Sequence, residues 1–470
     1  MLALLKRGLD ETRTDRWQSA FFLTAAAIAL GNALHIANGF FHPDAITYLS
    51  WAFLFSALAV LTPRVNWLEA QGAWPSVLLL AAGLMFQFGE LLTDPPAMYL
   101  RVDGKQTYAT YVRWLAAGGV VAASLILNGT WFRRSRILAL LAIHFALGLW
   151  LIHASPSPAI DVYVFQRDGI NELFAGRNPY AMTYPDIYGS STVYGEGLSV
   201  NGRLTFGFPY PPLSLFLAIP GHVFGDHRYS QLVAMTASGA LMAFARPGRL
   251  GALAAALFLF TPRGLFVLEQ SWTEPFLVLL LSATVFAACR REACVPYLFG
   301  LFLVVKQYLV FVVPLAWLIV RRPLDRNDLG RWALKALAIG AAVSLPLALW
   351  NISAFTRDVV TLQIHQPFRL DALSYMANAV REGGRPWPAS FAFIAAVLAV
   401  GLSLLRAPRT PAGFAGAVAL TYFGFFAFSK QAFCNYYYFV LGALCCAVAA
   451  LDGVGGRDGR RNDNTRSAQR

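Results

Sequence analysis

Runs of apolar residues long enough to cross a lipid bilayer recur along this 470-residue chain, and they restrict it to folds that a bilayer permits. Hydrocarbon offers no water to an unpaired peptide group, so each run is read as a helix. Residues of hydrophobic type make up 57% of the chain and charged ones only 13%, which excludes an ordinary soluble domain. The first run begins near Trp17, behind Lys6, Arg7, Arg13 and Arg16. It is longer than the core of a secretory signal and lacks a small-residue cleavage site, so it is expected to be retained as a helix.

The net charge of +13 sits in short loops beside the apolar runs, where bases orient a membrane chain and meet anionic lipid. No nucleic-acid partner is expected from it. All five cysteines lie in or beside apolar runs, which leaves no disulfide framework and no zinc spacing.

Crossings are expected at 17–37, 45–62, 73–92, 112–129 and 136–153. With a basic, cytoplasmic N-terminus, this places Arg64 and the Arg133, Arg134, Arg136 cluster inside and the loop 154–210 outside. Arg246 with Arg249, Arg290 with Arg291, the stretch RRPLDRNDLGR (321–331), Arg406 with Arg409 and the basic tail also read as cytoplasmic. Keeping them there predicts crossings at 229–246, 249–262, 273–289, 331–350, 388–406, 411–428 and 433–451. The stretch 211–225, broken by Pro220, is expected to dip into the outer leaflet. Residues 294–320 must leave and return on one side, as two half-length helices hinged at Lys306, Gln307 and Tyr308. The expected fold is all-α and polytopic, with about 13–14 transmembrane or half-membrane helices. Its parts are extra N-terminal helices over 1–130, a main region over 131–451 and a disordered basic tail over 452–470.

Four polar pieces fall on the outer face. The first is DVYVFQRDGINELFAGRNPYA (161–181), in which Asp161 precedes an apolar-periodic run ending at Gly176, predicting a surface helix with an Asp cap and a Gly stop. Asp161 and Asp168 would share a face about 10 Å apart along the axis, too far to ligate one metal ion. Asp161 serves either as a cap alone or as a general base toward a hydroxyl acceptor. The second is FGFPYPPLSLF (206–216), a rigid aromatic and proline-rich segment where the loop returns to the membrane, with Tyr210 in it. The third, HQPFRLDALSY (365–375), brings His365, Arg369 and Asp371, either a solvated loop or cations for a phosphate. The fourth, SKQAFCNYYYFV (429–440), offers Lys430, Gln431 and Asn435, which a snorkelling lysine and an interfacial aromatic belt would also explain. Lys306 lies inside an apolar run, where a charge needs a cavity or an anion. Arg263, Glu269, Gln270 and Glu274 form a further polar turn suited to shaping a cavity or holding hydroxyls. His35 and His144 read as packing residues, and the sequon-like Asn128 and Asn351 match by pattern alone.

Asp161, NELFAGRNPY (171–180), PYPPLSLF (209–216), the Lys306–Gln307–Tyr308 break, HQPFRLDALS (365–374) and SKQAFCNYYYF (429–439) together resemble the bacterial GT-C glycosyltransferases. The closest group resembles the polyprenyl-phosphate-mannose-dependent alpha-mannosyltransferases, over roughly 140–445. That resemblance implies an inverting transfer of a hexose, mannose first, from a polyprenyl phosphate sugar to a glycolipid or glycan acceptor, on the extracytoplasmic side of the bacterial inner membrane. Asp161 takes the place of the base. Lys306, His365, Arg369, Lys430 and Gln431 are candidates for donor phosphate or sugar. Asp168, Asn178, Tyr180, Tyr210, Glu269, Gln270, Asp371 and Asn435 are candidates for cavity or acceptor contacts. No resident cofactor is implied, a divalent metal ion at most, with the lipid-linked sugar as co-substrate. The chain departs from the pattern in its four preceding helices, and FFHPDAITYLSW (40–51) resembles the His-Pro-Asp entry of other GT-C mannosyltransferases, which implies Asp44 as a rival base. A lipid or glycan transporter, or a non-catalytic envelope-assembly protein, is the alternative from another class. Polar residues gathered at one face, with no internal repeat, favour the enzyme.

Overall fold

The computed structural model describes residues 15–63, 65–101, 107–126, 132–189, 191–320 and 326–452. The expectations for Lys6, Arg7, Arg13, Arg64, Asn128, the stretch 321–325 and the tail from 453 fall outside them. The described residues are almost wholly helical, and among them five helices are long and apolar enough to cross a membrane: Trp17–Ile36, Pro43–Leu61, Trp74–Thr93, Arg133–Ala154 and Asn327–Trp350. Shorter apolar helices, among them Arg249–Leu259, Ser390–Arg406, Pro411–Ala427 and Cys434–Ala450, complete the bundle.

Cys434–Ala450 is apolar on every side, and it is buried on nearly every side. Arg326–Trp350 is the opposite case, with Leu334, Leu337 and Leu349 outward, the pattern of a helix facing lipid. The N-terminal helices share this core: Phe53 packs on Phe423 with ring centroids 5.4 Å apart, and Gly39 meets the Cys434 backbone so closely that a Cβ would collide with it.

The basic clusters meet at one end. Arg246 pairs with Asp452 at 3.2 Å, Arg290 donates to the Phe244 carbonyl at 2.8 Å, and Arg133, Arg134 and Arg290 line a common cleft. The polar connections meet at the other end. There Phe41 N–H reaches the Asp371 carbonyl, Arg101 N–H that of Ala154, and Arg369 N–H that of Lys430.

The break at Lys306 falls where the charge in the apolar run requires it. Val295–Val304 lies parallel to Arg326–Trp350, with Phe299 against Trp332 and Val304 against Gly340. Lys306 is extended (φ −148°, ψ 139°), and Gln307–Leu318 then runs as a 3-10 helix. That helix starts with Tyr308 against Phe426 and ends with Trp317 beneath the Arg409 guanidinium, at 3.9 Å, on the basic end. The segment therefore turns back on itself, with Phe299 against Phe414 and Trp317 against Arg409.

Two local expectations are corrected. Pro212–Val223 continues through Pro220, although the proline has no N–H to give to the carbonyl four residues before it. The small departure from all-α is an antiparallel pair, Ser199–Val200 with Arg203–Leu204, closed by Asn201 (φ 50°) and Gly202 (φ 74°). Both turn residues take positive φ, and the Asn-Gly dipeptide is the sequence signal for such a turn.

Candidate functional site

The Asp161–Phe174 helix starts and stops close to where the sequence places it, with Gly176 in the left-handed region (φ 71°) just past its end. The cap itself is Ile160, in extended backbone, so the expectation that Asp161 caps the helix is corrected. Asp161 is the first helical residue, and its Oδ1 accepts from Val162 N–H at 2.8 Å. Its side chain is thereby turned to the wall of a cavity of about 320 Å³. Tyr194 donates its hydroxyl to Oδ2 at 3.2 Å and Tyr188 donates to Oδ1 at 3.4 Å. Among the described lining residues Asp161 is the sole carboxylate. Burial pushes its pKa up to about 6, against the opposing pull of the hydrogen bonds from Val162, Tyr194 and Tyr188.

Neighbouring loops set this geometry. Asp186 accepts from the backbone N–H of Tyr188 and Gly189 and from the Ser199 hydroxyl, which fixes the turn that presents Tyr188. On the facing side, Ser271 adopts positive φ (58°) and turns Gln270 and Trp272 toward the cavity. Buried Gln166, on the helix of Asp161, donates to the Ser271 carbonyl at 2.5 Å, and Gln231 donates to it at 2.9 Å. The carboxylate and the opposite wall are therefore cross-braced.

Lys306, Arg369, Tyr210, Gln270, Gln431 and Asn435 line the cavity as the sequence suggests. Both cations already have partners. Lys306 Nζ pairs with buried Glu274 at 3.0 Å, bonds Thr273 Oγ1 at 2.6 Å and lies 4.1 Å from the Tyr210 ring centroid. Arg369 holds Asp371 through Nε and Nη2, at 2.8 and 2.6 Å, and stacks on Phe433. The anion that Lys306 requires is thus supplied by the chain, and Asp371 serves Arg369 from outside the lining.

Other expected contacts are corrected. His365 is exposed at the end of the Leu362–His365 turn, outside the lining, because that turn faces it to solvent. Lys430 donates to the carbonyls of Ile364 and Gln366, closing the 364–366 backbone rather than facing the cavity. Asp168 pairs with Arg167 at 2.7 Å on the outer side of its helix. Asn178 accepts from Tyr180 N–H, and Tyr180 donates to the Tyr210 carbonyl at 2.8 Å, so both act one step behind the wall. The rival base Asp44 has a side chain 76% exposed at a helix start, away from the cavity. Glu269 is fully buried and accepts from the backbone N–H of Met98 and Tyr99 at 2.7 and 2.8 Å. Replacing it with alanine removes two charge-assisted bonds worth roughly 1.5–3 kcal/mol each. Glu269→Ala is expected to lower the melting temperature in detergent markedly, and Glu269→Gln less.

Sequence reasoning missed Tyr188, Tyr194, Phe40, Met98, Tyr99, Trp272, Gln366, Phe433 and Tyr436 in the lining. The Asn-Gly turn at 201–202 and the Asp186-X-Tyr188-Gly189 turn were the available signals that residues 182–204 fold as an ordered unit. Among the described residues no three acidic, histidine or cysteine side chains converge as a metal site. No protein-family model, curated protein or solved structure matches the chain.

Proposed function

We propose that the protein is a membrane-embedded glycosyltransferase of GT-C type, with Asp161 as the general base. The observation that carries this reading is the placement of Asp161 as the sole described carboxylate on the cavity wall, held by two tyrosine hydroxyls and with no cation partner among the described residues. Asp161 takes the proton of an acceptor hydroxyl as its oxygen bonds to the anomeric carbon. The bond from that carbon to the donor phosphate breaks, polyprenyl phosphate leaves, and the anomeric configuration inverts. Lys306 and Arg369, although paired, lie on the same cavity and can share donors with phosphate oxygens; Arg369 does not use Nη1 in its pair with Asp371. The basic clusters at the opposite end support a cytoplasmic assignment for that end and, with it, an extracytoplasmic cavity, where a lipid-borne sugar is a suitable donor. The resemblance suggests mannose as the sugar.

A carboxylate that must be ionised to act gives a rate that falls as pH drops through its pKa. Transfer is therefore expected to be half-maximal near pH 6 and to level off above it. Tyr194→Phe removes a hydrogen bond that favours the ionised form, so its acid limb should move to higher pH. The test is a pH profile of sugar transfer by purified protein in nanodiscs, with polyprenyl phosphate hexoses as donors. A profile flat from pH 5 to 8, with chemistry rate-limiting, contradicts the role given to Asp161.

A further inference from the structure

The N-terminal helices lie outside the part of the chain that resembles GT-C enzymes, yet two of their connections reach the cavity. Phe40 comes from the first, Met98 and Tyr99 from the second. The second connection is clamped by its main chain. Glu269 holds Met98 and Tyr99 N–H, Arg263 Nη1 donates to the Pro95 carbonyl at 3.0 Å, and Arg101 N–H donates to the Ala154 carbonyl at 2.9 Å. This fixes the backbone while leaving Met98 54% exposed, an arrangement suited to presenting a side chain rather than packing it.

The residues that line the cavity around Asp161 differ in chemistry. Tyr99 lines it together with Tyr188, which in turn bonds Asp161. Tyr210 lines it too, with Lys306 over its ring at 4.1 Å. A phosphate is drawn to the lining cations Lys306 and Arg369. The Met98–Tyr99 side is uncharged, aromatic and thioether in character, which fits the apolar C–H face of a pyranose ring while Asp161 meets one of its hydroxyls.

We propose that Met98 and Tyr99 form the acceptor-side wall of the cavity and seat the sugar ring of a glycolipid or glycan acceptor. This rests on the transferase reading. The N-terminal helices then give the chain an acceptor choice of its own, and Glu269 is the positioning residue that fixes their tip against the site.

The test uses full-length protein in nanodiscs, radiolabelled polyprenyl phosphate hexoses, and membranes from cells lacking the protein, in which the acceptor accumulates. Labelled product is followed as these membranes are diluted. Met98→Ala and Tyr99→Ala are expected to raise the membrane concentration giving half-maximal rate about tenfold, with the half-maximal donor concentration unchanged. Tyr99→Phe keeps the ring and is expected to raise the acceptor requirement less than Tyr99→Ala does. An unchanged acceptor requirement, an equal rise in the donor requirement, or a Tyr99→Phe variant as impaired as Tyr99→Ala overturns the wall while the transferase reading stands. Absence of label transfer by wild type with every hexose overturns the transferase reading and this inference with it. Should the alanine variants fail to fold, Met98→Trp, which enlarges a half-exposed side chain of the cavity lining, is read in the same way.

Discussion

Asp161→Asn is expected to lower the rate of sugar transfer by about 10²–10⁴-fold, the range in which a positioned general base contributes, while making the folded protein more stable at neutral pH. The second effect follows from the sign of the pKa shift. Burial raises the carboxyl from 3.8 to about 6, so the folded chain holds the proton more tightly than the unfolded chain does. The stability this contributes is complete below about pH 4 and is lost as pH rises through 6. Above pH 6 the ionised group is a burden on the fold, which a neutral asparagine relieves by about 1–3 kcal/mol. The gain should appear as a higher melting temperature in detergent at pH 7.5 and vanish near pH 4. A carboxylate kept for its favourable charge at a helix start would behave in the opposite way, with the asparagine variant melting lower at pH 7.5.

The second large effect concerns the hinge. Lys306 and Glu274 are 6% and 0% exposed in their side chains and 3.0 Å apart, and Tyr308 donates to the same carboxylate at 3.3 Å. Removing the lysine strands a fully buried Glu274 carboxylate, and removing the glutamate leaves Lys306, only 6% exposed on the cavity wall, without its anion. Lys306→Met or Glu274→Gln alone is expected to cost about 3–5 kcal/mol. The double variant should be much less destabilised than the sum of the two, since no lone charge remains. Denaturation of the four proteins in one detergent measures this coupling, and simple additivity would show that the pair does not act as a unit.

The helices were readable because a bilayer sets their length, and the parity of basic loops then required a break within 294–320. A charge in an apolar run announced the position of that break at Lys306. Asp161 was readable because a helix start has its own chemistry. The loop cations were read less well. Lys430 and His365 looked like Arg369 in the sequence, since a cation satisfied by nearby carbonyls or by solvent is written with the same letters as one that faces a ligand. Tyr188, Tyr194, Met98 and Tyr99 carried no local signal for the site. They reach Asp161 or its cavity through tertiary contacts across 27 to 63 positions of chain, and only the folded arrangement brings them there. Pro220 misled because a proline removes one helical donor without always ending the helix.

The most direct measurement is the profile of envelope glycolipids and glycans in cells that lack this protein, compared after rescue with wild type or with Asp161→Asn. The expected result is a product missing from the deletion, restored by wild type and absent with Asp161→Asn, although the variant accumulates in the membrane to wild-type levels. Full restoration of that product by Asp161→Asn would contradict the role of Asp161 as base.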